Sequence, residues 1–432
     1  MRVAYQILFV LFFWLSAPWY FLKMWRRGNW RAGFGQRFAR YGADFQAGLD
    51  GRPVLWLHAV SVGEVGVCLQ LLRALEPSLP GCQFVVSTTT STGMGELRRR
   101  LPPGVQAVYY PADFPGVVRR ALDTLRPRAI ILVEAELWPN LLWQAEERGI
   151  PLFLVNARIS ERSFKGYGRF SFLFRPIFSN FRGVGCQQPG DAERLIALGF
   201  PAGAVRVVGN MKFDAAQPEA RPGLDARGLL RRIGVNTNAK LLVAGSTHDG
   251  EEAVLAEMLP RLRRRFPELF LILVPRHFER AREAGRELAS RGIPFAYRGD
   301  ITDETQFAPG RLECLLVNST GELKFFYEQA SLVFVGKSLT AEGGQNPIEP
   351  AALGKAMVFG PNMQNFKAVA GAFLAEQAAL QVPDAAGLEQ AIAELLGNER
   401  RRSEMGARAL EVVRKNLGAT ARTVQFITER LG

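Results

Sequence analysis

Pro53-Val-Leu-Trp-Leu-His-Ala-Val-Ser-Val-Gly-Glu64 and Lys240-Leu-Leu-Val-Ala-Gly-Ser-Thr-His-Asp-Gly-Glu251 follow one plan: an apolar strand, a polar turn with glycine, then an apolar helical stretch. A buried parallel strand reads as a near-continuous apolar run, and both stretches begin that way. Further such runs follow each of them. They are Gln83 to Ser87, Ala129 to Val133 and Pro151 to Val155 in the first half, then Leu269 to Val274, Leu312 to Val317 and Leu332 to Val335 in the second. Helical stretches separate them, which is the βαβ alternation of a doubly wound parallel sheet. The fold class is therefore α/β, with two Rossmann-like domains. Open sheets of this kind take ligands at the C-terminal ends of their strands, so two facing domains predict a cleft.

The boundaries follow from composition. Residues 1–22 read as a membrane anchor, 23–50 as a basic juxtamembrane segment, 51–216 as the first domain and 217–227, polar and proline-bearing, as a linker. Residues 228–398 form the second domain, and 399–432 form an arginine-rich helical tail. Ala4 to Leu22 is almost wholly apolar and, at about 1.5 Å per residue, reaches about 28 Å, enough to cross hydrocarbon. Lys23, Arg26, Arg27 and Arg31 follow it against Arg2 alone in front, so the positive-inside rule leaves the rest of the chain in the cytoplasm. No A-x-A cleavage site follows, which argues against a removed signal peptide. Tyr5, Gln6 and Pro18 interrupt the span, and a tilted or monotopic insertion stays open.

The net charge of +13 points to an anionic partner. Cys68, Cys82, Cys186 and Cys314 lack CxxC spacing and only three histidines exist, which argues against a disulfide framework or a structural zinc site. From Asn156 to Phe178, Arg158, Arg162, Lys165, Arg169 and Arg175 alternate with Phe164, Tyr167, Phe170, Phe172, Phe174 and Phe178. That mixture suits single-stranded nucleic acid or an anionic lipid surface, with part of the aromatics in the core; the anchor favours lipid and argues against nucleic acid.

The polar residues gather at the predicted strand ends. Ser61-Val-Gly-Glu64 reads as a capping box, Ser-x-x-Glu, and also as a general base at the rim of the cleft. Ser87-Thr-Thr-Thr-Ser-Thr-Gly93 offers hydroxyls for sugar or phosphate oxygens, or a polar turn. Glu134 and Glu136 end a buried strand where propensity asks for neither, and Lys212 precedes the linker, free to meet a phosphate or to pair with Asp214. In the second half Pro275-Arg276-His277 and Asn318-Ser-Thr-Gly-Glu322 end strands, Ser319-x-x-Glu322 being a plausible cap. Gly343-Gly-Gln-Asn-Pro-Ile-Glu349 combines a glycine hinge, an N-cap at Asn346, Pro347 in the first helical position and a first-turn carboxylate, as a nucleotide cradle would; Asn-x-x-Glu is also a capping box. Gly336-Lys337-Ser338 imitates the end of a Walker loop, but the glycine needed five residues earlier is Ser331.

Taken together, these motifs resemble the Kdo (3-deoxy-D-manno-octulosonic acid) transferases, from the anchor to the second domain. The resemblance rests on His58-Ala-Val-Ser-Val-Gly-Glu64, Ser87 to Gly93, Glu134-x-Glu-Leu-Trp-Pro-Asn140, Asn156-Ala-Arg-Ile-Ser160, Gly209-Asn-x-Lys212-Phe-Asp214, Pro275-Arg-His277, Gly321-Glu-Leu323 and Asn346-Pro-Ile-Glu349. It implies a GT-B fold, a CMP-Kdo donor, the tetraacyl lipid A precursor (lipid IVA) as acceptor, and inverting transfer without metal or cofactor at the cytoplasmic side of the cell inner membrane. Carried over by position, Glu64 would be the base, Glu134 and Lys212 would stabilise the transition state, and Pro275, Arg276, Thr320, Gly321, Glu322, Asn346, Pro347, Ile348 and Glu349 would bind CMP. The chain departs from the family's pattern at Lys337 (usually Gly), Gln345 (usually His) and Asn318 (usually Asp), which puts fine donor contacts in question. Two other readings stand beside this one: a membrane-associated GT-B transferase using another nucleotide sugar such as a UDP-sugar, and a non-catalytic binder of anionic lipid or nucleic acid that kept the fold.

Overall fold

The computed structural model describes residues 2–26, 33–134, 137–216 and 223–431. Glu136, most of the linker and part of the basic segment after the anchor lie outside them. The chain divides into two compact units, Met1–Ala215 with Leu417–Gly432, and Ala216–Asn416.

The first unit carries β1 (Val54–His58), β2 (Gln83–Thr88), β3 (Gln106–Tyr109), β4 (Pro127–Val133), β5 (Leu152–Ala157), β6 (Phe181–Cys186) and β7 (Val205–Val207). They form one parallel sheet in the order β3-β2-β1-β4-β5-β6-β7. Both faces are covered, which is why β1 reads apolar throughout: Trp56 enters the core on one face, Leu55 and Leu57 the core on the other. The helix Val62–Leu75 supplies Val65, Cys68, Leu69 and Leu72 to the second of these cores, and Ala419 and Ile427 of the C-terminal helix Ala419–Leu431 join it.

The second unit carries β8 (Lys240–Thr247), β9 (Leu269–Pro275), β10 (Phe295–Tyr297), β11 (Cys314–Leu316), β12 (Leu332–Val335), β13 (Met357–Phe359) and β14 (Leu380–Gln381). Its parallel sheet runs β10-β11-β9-β8-β12-β13-β14. The arginine-rich tail is two helices that break at Gly418, where φ is +83°. Glu399–Asn416 belongs to the second unit and Ala419–Leu431 to the first.

In both sheets the strand order reverses next to the first strand. The reversal falls between β1 and β4 in one unit and between β8 and β12 in the other. Loops leaving neighbouring strands to opposite faces open a crevice at such a point, at the C-terminal edge of the sheet.

The helix Arg2–Arg26 is long and apolar enough to cross a membrane by length and composition. One face of it rests on the first unit: the Tyr5 hydroxyl donates to Asp113 Oδ2 at 2.8 Å, Phe9 and Phe13 meet Phe114 edge to face, and Arg2 pairs with Glu147. Its other face is exposed and apolar, with Leu8, Leu11, Phe12, Trp14, Leu15 and Trp19 in the open. The basic and aromatic segment folds into the helices Glu161–Arg169 and Ser171–Phe178. Tyr167, Phe174 and Phe178 turn inward, Phe178 stacking on Phe200 at 4.6 Å, while Phe170 and Phe172 stay 50% and 65% exposed.

Candidate active site

At the reversal point of the first sheet, β1 runs into the turn Ala59-Val60-Ser61 and the helix Val62–Leu75. Ser61 caps that helix: its hydroxyl oxygen accepts from the Glu64 N–H at 3.3 Å. Glu64 returns the bond, accepting from the Ser61 hydroxyl at 2.8 Å and from the Val60 N–H at 2.9 Å. The capping box therefore exists, and it fixes a half-buried carboxylate at the strand end. The hydroxyl-rich turn that follows β2 packs against it. Thr88 and Thr90 both donate to the Val60 carbonyl, at 3.1 and 3.0 Å. Ser87 is consumed inside the unit by Trp56 Nε1 and His58 Nδ1. Ser87, Thr88 and Thr90 of the Ser87 to Gly93 run are thus engaged inside the unit.

Across the same reversal point, β4 ends at Glu134, which adopts φ +67°. A non-glycine residue held there is strained by about 1–3 kcal/mol, and such residues collect at functional sites. Asn156, at the end of β5, has φ +51° and is fully buried. Lys212 Nζ lies 2.7 Å from Glu134 Oε1, with side-chain exposures of only 17% and 12%. Asn156 fastens this pair to the scaffold: its amide carbonyl accepts from the Met211 N–H at 3.0 Å and its amide nitrogen faces Glu134 Oε1 at 3.4 Å. Asp214 does not pair with Lys212. Its carboxylate accepts from the N–H groups of Gly418 and Thr420, both at 2.6 Å, where the C-terminal helix begins.

Asn140 of the Trp-Pro-Asn sequence is structural. Asp113 accepts from the N–H groups of Asn140 at 2.9 Å and Leu141 at 3.0 Å, capping the helix Pro139–Glu147 from another loop. Burial lifts the Asp113 carboxyl to about 6, against the downward pull of those bonds. The sequence carried no signal for Asp113, because its partners lie far along the chain.

In the second unit the residues carried over for CMP fall at the ends of β9, β11 and β12. Pro275 closes β9, and the Arg276 N–H donates to the Thr247 carbonyl at 3.0 Å, leaving an exposed guanidinium. The helix Ile348–Ala352 begins one residue later than the sequence suggests and runs only five residues, so its N-cap is Pro347; Asn346, one position further out, accepts from the Ile348 N–H at 3.0 Å. Glu349 does not reach back to the Asn346 backbone; its Oε1 accepts from the Asn346 side-chain amide at 3.1 Å. Desolvation raises the Glu349 pKa, while Asn346 and the Arg276 charge pull it down. The paired glycines answer to the chain itself. A Cβ on Gly344 would stand 2.9 Å from the Asn362 carbonyl oxygen, and one on Gly343 2.8 Å from Asn365 Nδ2. Glu322 is held by Arg298 at 3.2 Å and by the Ser319 hydroxyl, with Thr320 and Gly321 exposed beside it.

The group that organises this edge is Glu251, which sequence reasoning placed in a turn and gave no role. It is fully buried. Its carboxylate accepts from the N–H groups of His248 at 2.8 Å, Lys337 at 2.7 Å, and Ser338 and Leu339 at 2.9 Å each, tying the turn after β8 to the turn after β12. Among the described residues no cluster of three or more His, Cys, Asp or Glu side chains is placed to hold a metal ion.

Two doubly wound parallel-sheet units, each with polar groups at its reversal point, place the molecule in the GT-B-like class. UDP-GlcNAc 2-epimerase from Neisseria meningitidis, bound to UDP-GlcNAc, has this fold at a TM-score of 0.57; it is 12% identical over 87% of this chain and 100% of its own. Residues 32–215 match the family described as 3-deoxy-D-manno-octulosonic-acid transferase (kdotransferase). A 3-deoxy-D-manno-octulosonic acid transferase of Bordetella pertussis is 36% identical over 433 residues, spanning 96% of this chain and 97% of the relative. Another, from Haemophilus influenzae, is 30% identical over 395 residues and 91% of each chain. The chain belongs to the Kdo transferase family and is a glycosyltransferase.

Proposed function

We propose that this enzyme moves Kdo from CMP-Kdo to the tetraacyl lipid A precursor by a single inverting displacement that needs no metal. The observation that carries this reading is the reversal point of the first sheet, where Glu64 follows β1 and the Glu134–Lys212 pair follows β4. An acceptor hydroxyl attacks the anomeric carbon of Kdo as Glu64 takes its proton. The bond from that carbon to the CMP phosphate oxygen breaks, and CMP leaves with the electron pair. The sugar ring gathers positive charge during the displacement while negative charge grows on the phosphate. A fixed carboxylate and a fixed ammonium, Glu134 and Lys212, suit those two charges and cost no reorganisation at the moment of reaction.

On the donor side, the Arg276 guanidinium neutralises phosphate, and Glu349, oriented by Asn346, accepts from ribose hydroxyls. Pro275, Thr320, Gly321, Glu322, Pro347 and Ile348 line the same nucleotide site. The net charge of +13 suits a doubly phosphorylated lipid, and the exposed apolar face of the helix Arg2–Arg26 suits retention at the inner-membrane leaflet that holds it. The test is transfer by detergent-solubilised protein, with CMP-Kdo made in situ and divalent ions chelated before the acceptor is added. Mass spectrometry should show a gain of one or more Kdo units on the lipid. CMP binding without any mass gain would refute the acceptor or the sugar.

A further inference from the structure

Lys337 stands where the second sheet reverses, directly after β12, and it is costly to place there. Its φ is +54°, a left-handed conformation that glycine adopts freely and a side-chained residue adopts at a cost. Its side chain is half-buried, and no carboxylate pairs with it among the described residues. The backbone around it is over-determined. Its N–H goes to Glu251 at 2.7 Å, its carbonyl accepts from the Gly344 N–H at 2.8 Å, and the Gln345 N–H donates to the Gly336 carbonyl at 3.2 Å. The side chain lies along the Gly343 backbone, where a Cβ would meet its Cε at 3.3 Å and its Nζ at 3.4 Å. Nothing in these contacts requires an ammonium. A glycine would keep all the backbone bonds and relieve the strain.

A second polar group nearby has a buried nitrogen that finds no hydrogen bond among the described residues. The His248 N–H shares Glu251 Oε2 with the Lys337 N–H, so the two backbones are neighbours. His248 Nδ1 is buried without a hydrogen bond, and the imidazole lies within electrostatic reach of Lys337, His277 and Arg280. Arg280 is occupied by Asp249, Glu252 and Glu283, so among the described residues Lys337 is the full charge of the group without an ion pair.

We propose that Lys337 is a specificity-determining residue: its ammonium binds an oxyanion of the nucleotide-sugar donor, either the phosphate or the carboxylate of the acidic sugar. A half-buried unpaired cation at a reversal-point crevice gains most from an anion that arrives there, because the ligand restores what burial removed. The inference rests on the CMP-sugar reading of the second unit.

The test uses the full chain in detergent and the variants Lys337→Met, Lys337→Gly and Lys337→Arg. Calorimetry measures CMP and cytidine, and steady-state rates measure CMP-Kdo. If the phosphate is the ligand, Met and Gly weaken CMP about tenfold, leave cytidine unchanged, and Arg restores CMP. If the sugar carboxylate is the ligand, CMP affinity stays and the KM for CMP-Kdo rises about tenfold, again restored by Arg. In either case Lys337→Gly keeps the wild-type Tm, since it relieves a left-handed residue, whereas a structural lysine would lose Tm and binding together. Variants that bind CMP and use CMP-Kdo as the wild type does overturn the proposal, as does a loss of binding that follows Tm. A wild-type chain that binds no CMP overturns the donor reading itself, whatever the Lys337 variants do.

Discussion

Glu64 and Glu251 sit in the same place in two copies of one plan, a strand, a turn and a glutamate at the start of a helix, yet they meet opposite fates. Glu251 is fully buried, and its oxygens take four backbone N–H groups that join two turns. Glu64 is half-buried, and the Val60 N–H and Ser61 hydroxyl that donate to it belong to its own turn. The rest of each edge follows suit. In the first unit the charges are matched, Glu134 with Lys212 and Asp214 with the C-terminal helix. In the second unit the clamp is satisfied, and among the described residues the cations Lys337 and Arg276 form no ion pair. A site that shuttles a proton and steadies developing charge has to be organised before substrate arrives, whereas a site that binds an anion keeps charge in reserve.

The largest expected effect separates the two glutamates. Glu64→Ala should lower transfer by about 10³–10⁴-fold while CMP affinity stays, with a stability loss of only about 1 kcal/mol from the weakened cap. Rates and CMP calorimetry on one preparation decide this. Substantial residual transfer would make Glu64 a capping residue and nothing more. Glu251→Gln should do the reverse. An amide nitrogen facing backbone N–H groups leaves buried donors unsatisfied, for about 3–5 kcal/mol of stability read by denaturant titration. If Glu251→Gln were as stable as wild type, the contrast between clamp and base would collapse.

The Glu134–Lys212 pair sharpens the comparison from the other side. Lys212→Ala should cost about 10²-fold in kcat, since it removes one fixed charge at the transition state and leaves a carboxylate unpaired. The double variant Glu134→Gln with Lys212→Ala should lose less than the sum of the Glu134→Gln and Lys212→Ala losses, because the two act as a unit. Additive losses in the cycle would mean that the charges serve the reaction separately.

The apolar runs of β1, β2, β4, β5, β8, β9 and β12 were legible because strands buried on both faces leave little choice of residue. The same logic passes over β6, Phe181-Arg-Gly-Val-Gly-Cys, because Arg182 and two glycines break its apolar run. A Cβ on Gly183 would stand 2.8 Å from the Phe153 ring and 2.9 Å from that of Phe426, so the glycine is set by a helix near the far end of the sequence. β7, β10, β13 and β14 run only two or three residues, too short to show a period. At the sites, local pattern gave the capping boxes and the carboxylates at strand ends, because those depend on neighbours in sequence. It could not give Glu251 reaching to Lys337, Asp214 capping the C-terminal helix, or Asp113 capping a helix it does not belong to.

Asp113 supplies the smallest effect and extends the contrast to a third carboxylate, satisfied by N–H groups like Glu251 but also joined to the N-terminal helix through Tyr5. Its pKa rises from 3.8 to about 6 on folding, so the folded state holds its proton more tightly than the unfolded chain does. Stability from this group is therefore fully present below its ordinary value and is lost as pH rises through about 6, by about 3 kcal/mol across that window. Asp113→Asn keeps the shape and removes the titration. Denaturant midpoints measured across the window should drift downward with rising pH in the wild type, with that component of the drift missing from the variant. Equal drift in both would show that the capping bonds offset burial and hold the carboxylate charged, which would place Asp113 beside Glu251 as a plain clamp. A drift lost along with the Tyr5 contact, tested by Tyr5→Phe, would instead make the proton on Asp113 part of how the apolar helix is held to the enzyme.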